Sequence, residues 1–346
     1  MSVLLPNLES PGSKQHLLLL QSSVAQSSLS LIRHVIKTNS SRGRRTLLFS
    51  FLYESENLVN KNAAQNVDVH NYLDRVPGYV DESSELGSKM LSTIKEVDTE
   101  SLDVIIDCVD TLVENLGTIS ETYRFLNSIL VYLSSRSKHS RLILHICAPS
   151  PILPLLVSTS FSPSLTQCIA HPPALLLHLA KEYLTYPPPQ TPEAKFWGVF
   201  LPITERIRDS EQLVYGPEGE GSGSLGDVII EIIIRGGSDY SGRRKATERH
   251  LEGWQVPQST AVPLEQLDSL NSLWRRTVVT EANPDPTQNV SFNLQLTPSQ
   301  QESRARVPLP YAHEGQTIQL QQGSILYDPD SADDIDDDDP DEDLDI

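Results

Sequence analysis

The stretch Gln21-Ser22-Ser23-Val24-Ala25-Gln26-Ser27-Ser28 is where this sequence comes closest to a chemical motif. It follows a short apolar run, His16–Leu20, and opens a helix candidate, Ser28–Lys37. A phosphate-binding loop at that position reads G-x-x-x-x-G-K-[ST]. Ser28 occupies the slot whose hydroxyl would hold a metal, but Gln21 and Gln26 stand where the glycines belong and Ser27 where the lysine belongs. Glutamine does not easily take the positive φ angles that wrap backbone N–H groups around phosphate, and no cation is left to meet the β/γ-phosphates. Cleavage of a nucleotide in cis is therefore expected to fail. Asp107, which ends the run Val104-Ile105-Ile106, matches the strand-terminal carboxylate that helps to hold Mg²⁺ in such sites. Any α/β sheet with a polar first turn accounts for the same residues.

The remaining motifs carry less. Gly221-Ser222-Gly223-Ser224-Leu225-Gly226 matches G-x-G-x-x-G by letter, but it runs into the strand candidate Asp227–Arg235, whereas a dinucleotide fingerprint opens a helix. It reads as a loop. The nine histidines are scattered, with no metal-binding H-E-x-x-H, and no serine or cysteine nucleophile can be assigned a partner. Neither a metal nor a cofactor is expected. Cys108, Cys147 and Cys168 lack paired spacing and read as reduced, buried thiols. Two basic clusters stand against an acidic background: Arg33, His34, Lys37, Arg42, Arg44 and Arg45, then Arg243, Arg244, Lys245 and Arg249. Either has the charge to meet phosphates, and a solvated face or linker explains them as well.

Several elements must position these residues. The helix candidate after the first strand repeats Leu31/Val35 and Ile32/Ile36 at i,i+4. Thr46–Tyr53, Leu102–Cys108 and Arg141–Cys147 read as strands. Thr118-x-x-Glu121 is a capping box opening a helix whose apolar face is Ile119, Tyr123, Leu126, Leu130 and Leu133. Thr166–Tyr183 reads as helix interrupted at Pro172-Pro173, and Lys195–Ile203 and Asp227–Arg235 as strands. Gly236–Val256 reads as a charged flexible loop, and Leu264, Leu267, Leu270 and Trp274 as a short amphipathic helix. Ser291–Leu296 alternates as a half-exposed strand, and Thr297-Pro298 starts a helix that Val307-Pro308 ends. Residues 54–100 show no readable periodicity. Strands alternating with helices imply crossovers and a largely parallel α/β sheet. The expected organisation is an α/β domain over 1–235, a charged linker with a short helix over 236–288, a strand and short helix over 289–311 that complete the domain, and a disordered acidic tail over 312–346.

Charge is unevenly spread. The 346 residues carry a formal −19, but twelve acidic residues lie within 327–346, leaving 34 acidic against 27 basic residues elsewhere, or −7. No stretch approaches the ~18 apolar residues of a membrane helix. The start lacks the basic and apolar segments of a secretory signal, so a cytoplasmic or nuclear location is expected.

The order of residues in the acidic run is more specific than its charge. Ile325-Leu-Tyr327-Asp-Pro-Asp330, Asp333-Asp334-Ile-Asp336 and Asp339-Pro340-Asp341-Glu-Asp343-Leu344-Asp345-Ile346 closely resemble the C-terminus of the Elongator complex protein 5 family. Phe292-Asn-Leu-Gln-Leu296 and Val307-Pro-Leu-Pro-Tyr311 resemble the segment before it. The resemblance implies a RecA-like ATPase fold without a functional P-loop, in a heterohexameric ring with Elongator proteins 4 and 6. That ring docks on the catalytic Elongator subcomplex and binds tRNA, and the assembly modifies the wobble uridine. This chain would then be a non-catalytic structural and regulatory subunit. No family catalytic residue can be carried over, since both glycines and the lysine are missing. Arg33, Lys37, Arg42, Arg44 and Arg45 are the candidate RNA or interface contacts. The alternative is an acidic-tailed adaptor or chaperone for basic partners.

Overall fold

The computed structural model describes residues 2–274 except 10–14, 61–64, 77–82, 100, 137–139, 218, 220, 222–224 and 237–246, together with Ser299. The chain divides into two units, residues 1–277 and 278–346. The first is built on one nine-stranded sheet. Its strands are β1 (Leu17–Ser23), β2 (Arg45–Ser50), β3 (Val67–Asn71), β4 (Leu102–Ile106), β5 (Arg141–Ala148), β6 (Leu165–His171), β7 (Asp227–Arg235), β8 (Thr247–Gln255) and β9 (Thr260–Val262), in spatial order β3-β2-β4-β5-β1-β6-β7-β8-β9. The pairings from β3 across to β6 are parallel, and β7, β8 and β9 add antiparallel.

Helices cover both faces. They are α1 (Leu4–Glu9), α2 (Leu29–Ser41), α3 (Ser55–Leu58), α4 (Ser83–Glu96), α5 (Val109–Leu116), α6 (Ile119–Ser134), α7 (Leu153–Val157), α8 (Pro173–Glu182), α9 (Glu193–Thr204), α10 (Ile207–Tyr215) and α11 (Asn271–Trp274). Alternation along each strand sends neighbouring residues to opposite faces. Leu17 and Leu19 of β1 join Leu86 and Met90 of α4, Leu112 of α5 and Leu126, Ile129 and Leu133 of α6. Leu18 and Leu20 join Leu4 and Leu8 of α1 and Leu31, Ile32 and Val35 of α2, with Trp254. A third cluster, Leu175 and Leu176 of α8, Phe196 and Phe200 of α9, Ile229, and Leu264, Leu267 and Leu270, covers β7 and β8 on the first face. Strands buried on both sides need apolar residues at nearly every position, which is why β4 and β5 read as unbroken runs. Thr118 caps α6 as expected, its hydroxyl accepting from the Glu121 N–H at 3.1 Å.

This is an α/β fold of RecA-like strand order: β5 stands between β1 and β4, so the strand that leads into the loop and the strand that leads into Asp107 are not neighbours. Four local readings need correction. Residues 165–171 are the strand β6, and the helix begins only at Pro173, because Pro172 holds extended backbone and Pro173 fits the first helical position. Lys195–Ile203 is not a strand but part of α9, with Phe196, Phe200 and Ile203 at helical spacing on its buried side. The loop reading of Gly236–Val256 fails over β8, which pairs with β7 along all nine residues, and β9 extends the same sheet into the region taken as linker. The amphipathic helix around Leu264–Trp274 is two 3-10 turns, Leu264–Gln266 and Asp268–Leu270, before α11. In the unread 54–100 lie α3, β3 and α4. The strand and helix expected at 291–308 and the acidic tail fall outside the described residues, apart from Ser299.

Candidate functional site

The β1–α2 loop is closed on itself. Ser23 N–H donates to the Gln26 carbonyl at 2.8 Å and Gln26 N–H returns to the Ser23 carbonyl at 3.2 Å. Ser28 N–H, which a phosphate loop would aim at its ligand, donates instead to Ser22 Oγ at 2.8 Å, and Leu29 N–H donates to Ser27 Oγ at 3.2 Å. Ser22 and Ser28 are buried, with their hydroxyl oxygens 2.9 Å apart.

The proton positions in this cluster follow from chemistry. His145 Nδ1 lies 2.6 Å from the Asp107 carbonyl, which can only accept, so Nδ1 carries the hydrogen. Burial lowers the His145 pKa, so the ring is neutral and Nε2 is an acceptor. Ser22 Oγ, 2.7 Å away, therefore donates to Nε2, and the Ser28 hydroxyl donates to Ser22. A neutral relay thus ties Ser28, through Ser22 and His145, to the backbone carbonyl of Asp107 after β4. Sequence reasoning missed His145, which enters through β5, 123 residues from Ser22.

Asp107 does not face this loop with its carboxylate. Oδ1 accepts from Phe51 N–H at 2.7 Å, and Oδ2 from Tyr53 N–H at 2.8 Å and Leu52 N–H at 3.1 Å. Burial raises its pKa, against these backbone donors, which favour the carboxylate. Its role in this geometry is to fix the turn after β2. Gln26 is buried, and Gln21 accepts from the Gln167 amide at 2.8 Å. The residues at Gln21–Ser28 therefore do not fit a nucleotide phosphate: the donors are turned inward and no lysine is present.

The basic residues divide by position. Arg33 and Lys37 are exposed on α2 and line a concavity of about 800 Å³ with Ser55, Asn57 and Asn60; Arg33 Nε also donates to the Asn57 carbonyl at 2.7 Å. Arg42 pairs with Glu9 at 2.7 Å and Arg45 with Asp68 at 2.5 Å, both at the surface. Arg44 is half-buried, bonding the fully buried Asp103 at 2.6 Å. Asp103 also accepts from Arg141 at 2.6 Å and from Asn39 at 2.9 Å. Burial pushes the Asp103 carboxyl up, but the Arg141 and Arg44 guanidiniums outweigh it and hold it below the ordinary range. A second buried carboxylate, Glu231, meets His171 at 2.9 Å and Arg249 at 3.1 Å. Arg243, Arg244 and Lys245 of the second basic cluster, and Gly223 of the glycine motif, lie outside the described residues. Cys108 and Cys168 are buried, Cys147 only partly, and burial raises all three thiol pKa values, that of Cys168 to about 12.

Comparison with known proteins adds identity to this geometry. The Elongator complex protein 5 of Rattus norvegicus is 36% identical over 165 residues, covering 42% of this chain and 51% of that protein. Its counterpart in Danio rerio is 38% identical over 71 residues, covering 19% of this chain and 24% of that protein, and that of Mus musculus 41% over 70 residues, covering 18% and 23%. The matched stretches thus span about half or less of these relatives' length. Among solved structures, the KaiC-like protein PH0186 from Pyrococcus horikoshii OT3 is similar over 71% of this chain and 88% of its own, at 9% identity and a TM-score of 0.38. At that level the strand order, and not this neighbour, carries the fold. The family model described as Elongator subunit Iki1 matches residues 5–328, and the chain belongs to that family.

Proposed function

We propose that this chain is a non-catalytic structural and regulatory subunit of the Elongator complex. In this reading it sits in a heterohexameric ring with Elongator proteins 4 and 6, which binds tRNA, docks on the catalytic subcomplex and supports wobble-uridine modification. The observation that carries the reading is the inward-turned β1–α2 loop: a RecA-like strand order is kept while the phosphate-binding donors are spent on the chain's own serines. A subunit of this kind contributes surfaces, not turnover.

The RNA part of the reading rests on Arg33 and Lys37, both exposed on α2 beside a mixed concavity that also holds Ser55, Asn57 and Asn60, the acidic Glu56 and the apolar Leu58 and Val59. Arg42 and Arg45 are already ion-paired at the surface, and Arg44 holds a buried carboxylate, so reversing Arg44 would test folding as well. The clean experiment is the double reversal Arg33→Glu/Lys37→Glu in the ring assembled with Elongator proteins 4 and 6. It is expected to weaken tRNA binding and to reduce the slope of log affinity against log salt by about two, one for each lost phosphate contact. Unchanged affinity and slope with an intact ring would remove these two residues from the RNA interface.

A further inference from the structure

The sheet ends on an unequal pair of strands. β8 bonds β7 along Thr247–Gln255, but β9 covers only Gly253, Trp254 and Gln255 on the other side. Pro263 follows β9 directly and has no N–H with which to continue the ladder. The direction of the backbone groups along the remainder of β8 follows from one bond. Val256 N–H donates to the Gly226 carbonyl at 2.9 Å, so residues 254, 252, 250 and 248 turn their backbone groups toward β7, while Leu251, Arg249 and Thr247 turn theirs outward. Among the described residues no backbone group bonds these outward positions.

The open edge lies in a groove of about 490 Å³. Trp197 and Pro188 wall it on one face, and Ser2 and Val3 on the other. Trp197 is partly exposed and Arg249 lies 5.7 Å over its ring, a pairing of two of the residue types enriched at interface hot spots. Where β9 stops, Glu193 and Glu265 line the groove, while the Glu252 carboxylate is taken up by Ser2 Oγ at 2.7 Å and by the Val3 and Leu4 N–H groups at the start of α1. The charge of Arg249 is met by Glu231 at 3.1 Å, so it does not neutralise Glu193 and Glu265.

We infer that the Thr247–Glu252 edge of β8 is a docking site for an extended segment of a partner protein, which adds as a further strand in line with β9. Strand addition uses main-chain bonds for affinity and side-chain walls for selection. The walls here select an apolar residue against Trp197 and basic residues at the end bounded by Glu193 and Glu265. The inference uses neither the ring nor RNA.

The test uses the full chain and two labelled eight-residue peptides of alternating valine and threonine, one ending in two lysines and one in two glutamates. Hydrogen exchange should find the Arg249 and Leu251 amides fast in the free chain, with His250 and Glu252 protected by β7. The lysine peptide should bind by fluorescence anisotropy and slow Arg249 and Leu251 about tenfold or more. Leu251→Pro removes one outward N–H and leaves the β7 ladder, so it should weaken binding about fivefold, the equivalent of one hydrogen bond. Glu193→Lys/Glu265→Lys, away from the ladder, should weaken the lysine peptide and strengthen the glutamate one. The inference is overturned if both peptides bind equally, if neither alters exchange at Arg249 and Leu251, or if those amides are already protected in the free full chain.

Discussion

Asp103 shows how much one side chain can hold. Its carboxylate meets Arg141, whose side chain is 1% exposed, and the exposed end of the same cluster is closed by Arg44. Asp103→Asn leaves the Arg141 guanidinium buried without a counter-charge and is expected to cost about 3–5 kcal/mol in urea unfolding. Asp68→Asn breaks the surface pair with Arg45, both side chains being about a third exposed, and should cost no more than ~1 kcal/mol. The depressed Asp103 pKa contributes stability that is complete above the ordinary carboxylate range and is lost only as pH falls through the lower folded value. Histidines act earlier on the way down. Burial lowers the His145 and His34 pKa values from 6.5, so below that pH the unfolded chain binds more protons than the folded one. Stability should therefore fall as pH drops through and below 6.5, and the urea midpoint at pH 5.5 should lie below that at pH 7.5. A midpoint unchanged between the two would contradict the neutral His145 relay.

Single residues of the site were legible only where they are missing. The absent glycines and lysine at Gln21, Gln26 and Ser27 are visible in the sequence, and the loop they leave cannot cradle phosphate. What closes the loop was not visible, since Ser22 meets His145 only after β5 has been laid beside β1. The density of Arg42, Arg44 and Arg45 along the chain likewise overstated a patch. β2 lies between β3 and β4, and that register brings Asp68 and Asp103 to the two consecutive arginines at its start.

Elements were readable where their periodicity is simple. β1, β2, β4 and β5 are apolar runs of strand length, and α2 and α6 are amphipathic. α9 misled because Phe196-Trp197-Gly198-Val199-Phe200-Leu201 is apolar on nearly every side, a pattern shared by buried strands and buried helices. β8 misled for the opposite reason: its first residues, Thr247 and Glu248, are exposed, and only Gly253 and Trp254 are buried. Gly253 records how closely this edge packs, since a Cβ there would lie 2.7 Å from Leu267 Cγ and Cδ2. Gly253→Ala is expected to cost about 1–3 kcal/mol by overpacking. Leu267→Ala should cost about 2–5 kcal/mol by opening a cavity, and the double variant less than the sum, as a double-mutant cycle in urea will read. Strict additivity would mean that the contact does not constrain the fold.

At the scale of the molecule, one sheet carries both the RecA-like parallel strands and the antiparallel extension β7–β9. The loop that would hold a nucleotide in that architecture is closed by its own hydrogen bonds, and the role proposed above rests on the surfaces of the chain. The most direct test is native mass spectrometry of the chain co-expressed with Elongator proteins 4 and 6. The account predicts a single assembly with two copies of each of the three proteins, unchanged in mass distribution when ATP is removed. A solitary monomer in the presence of both partners, or assembly on this chain's own bound nucleotide, would contradict it.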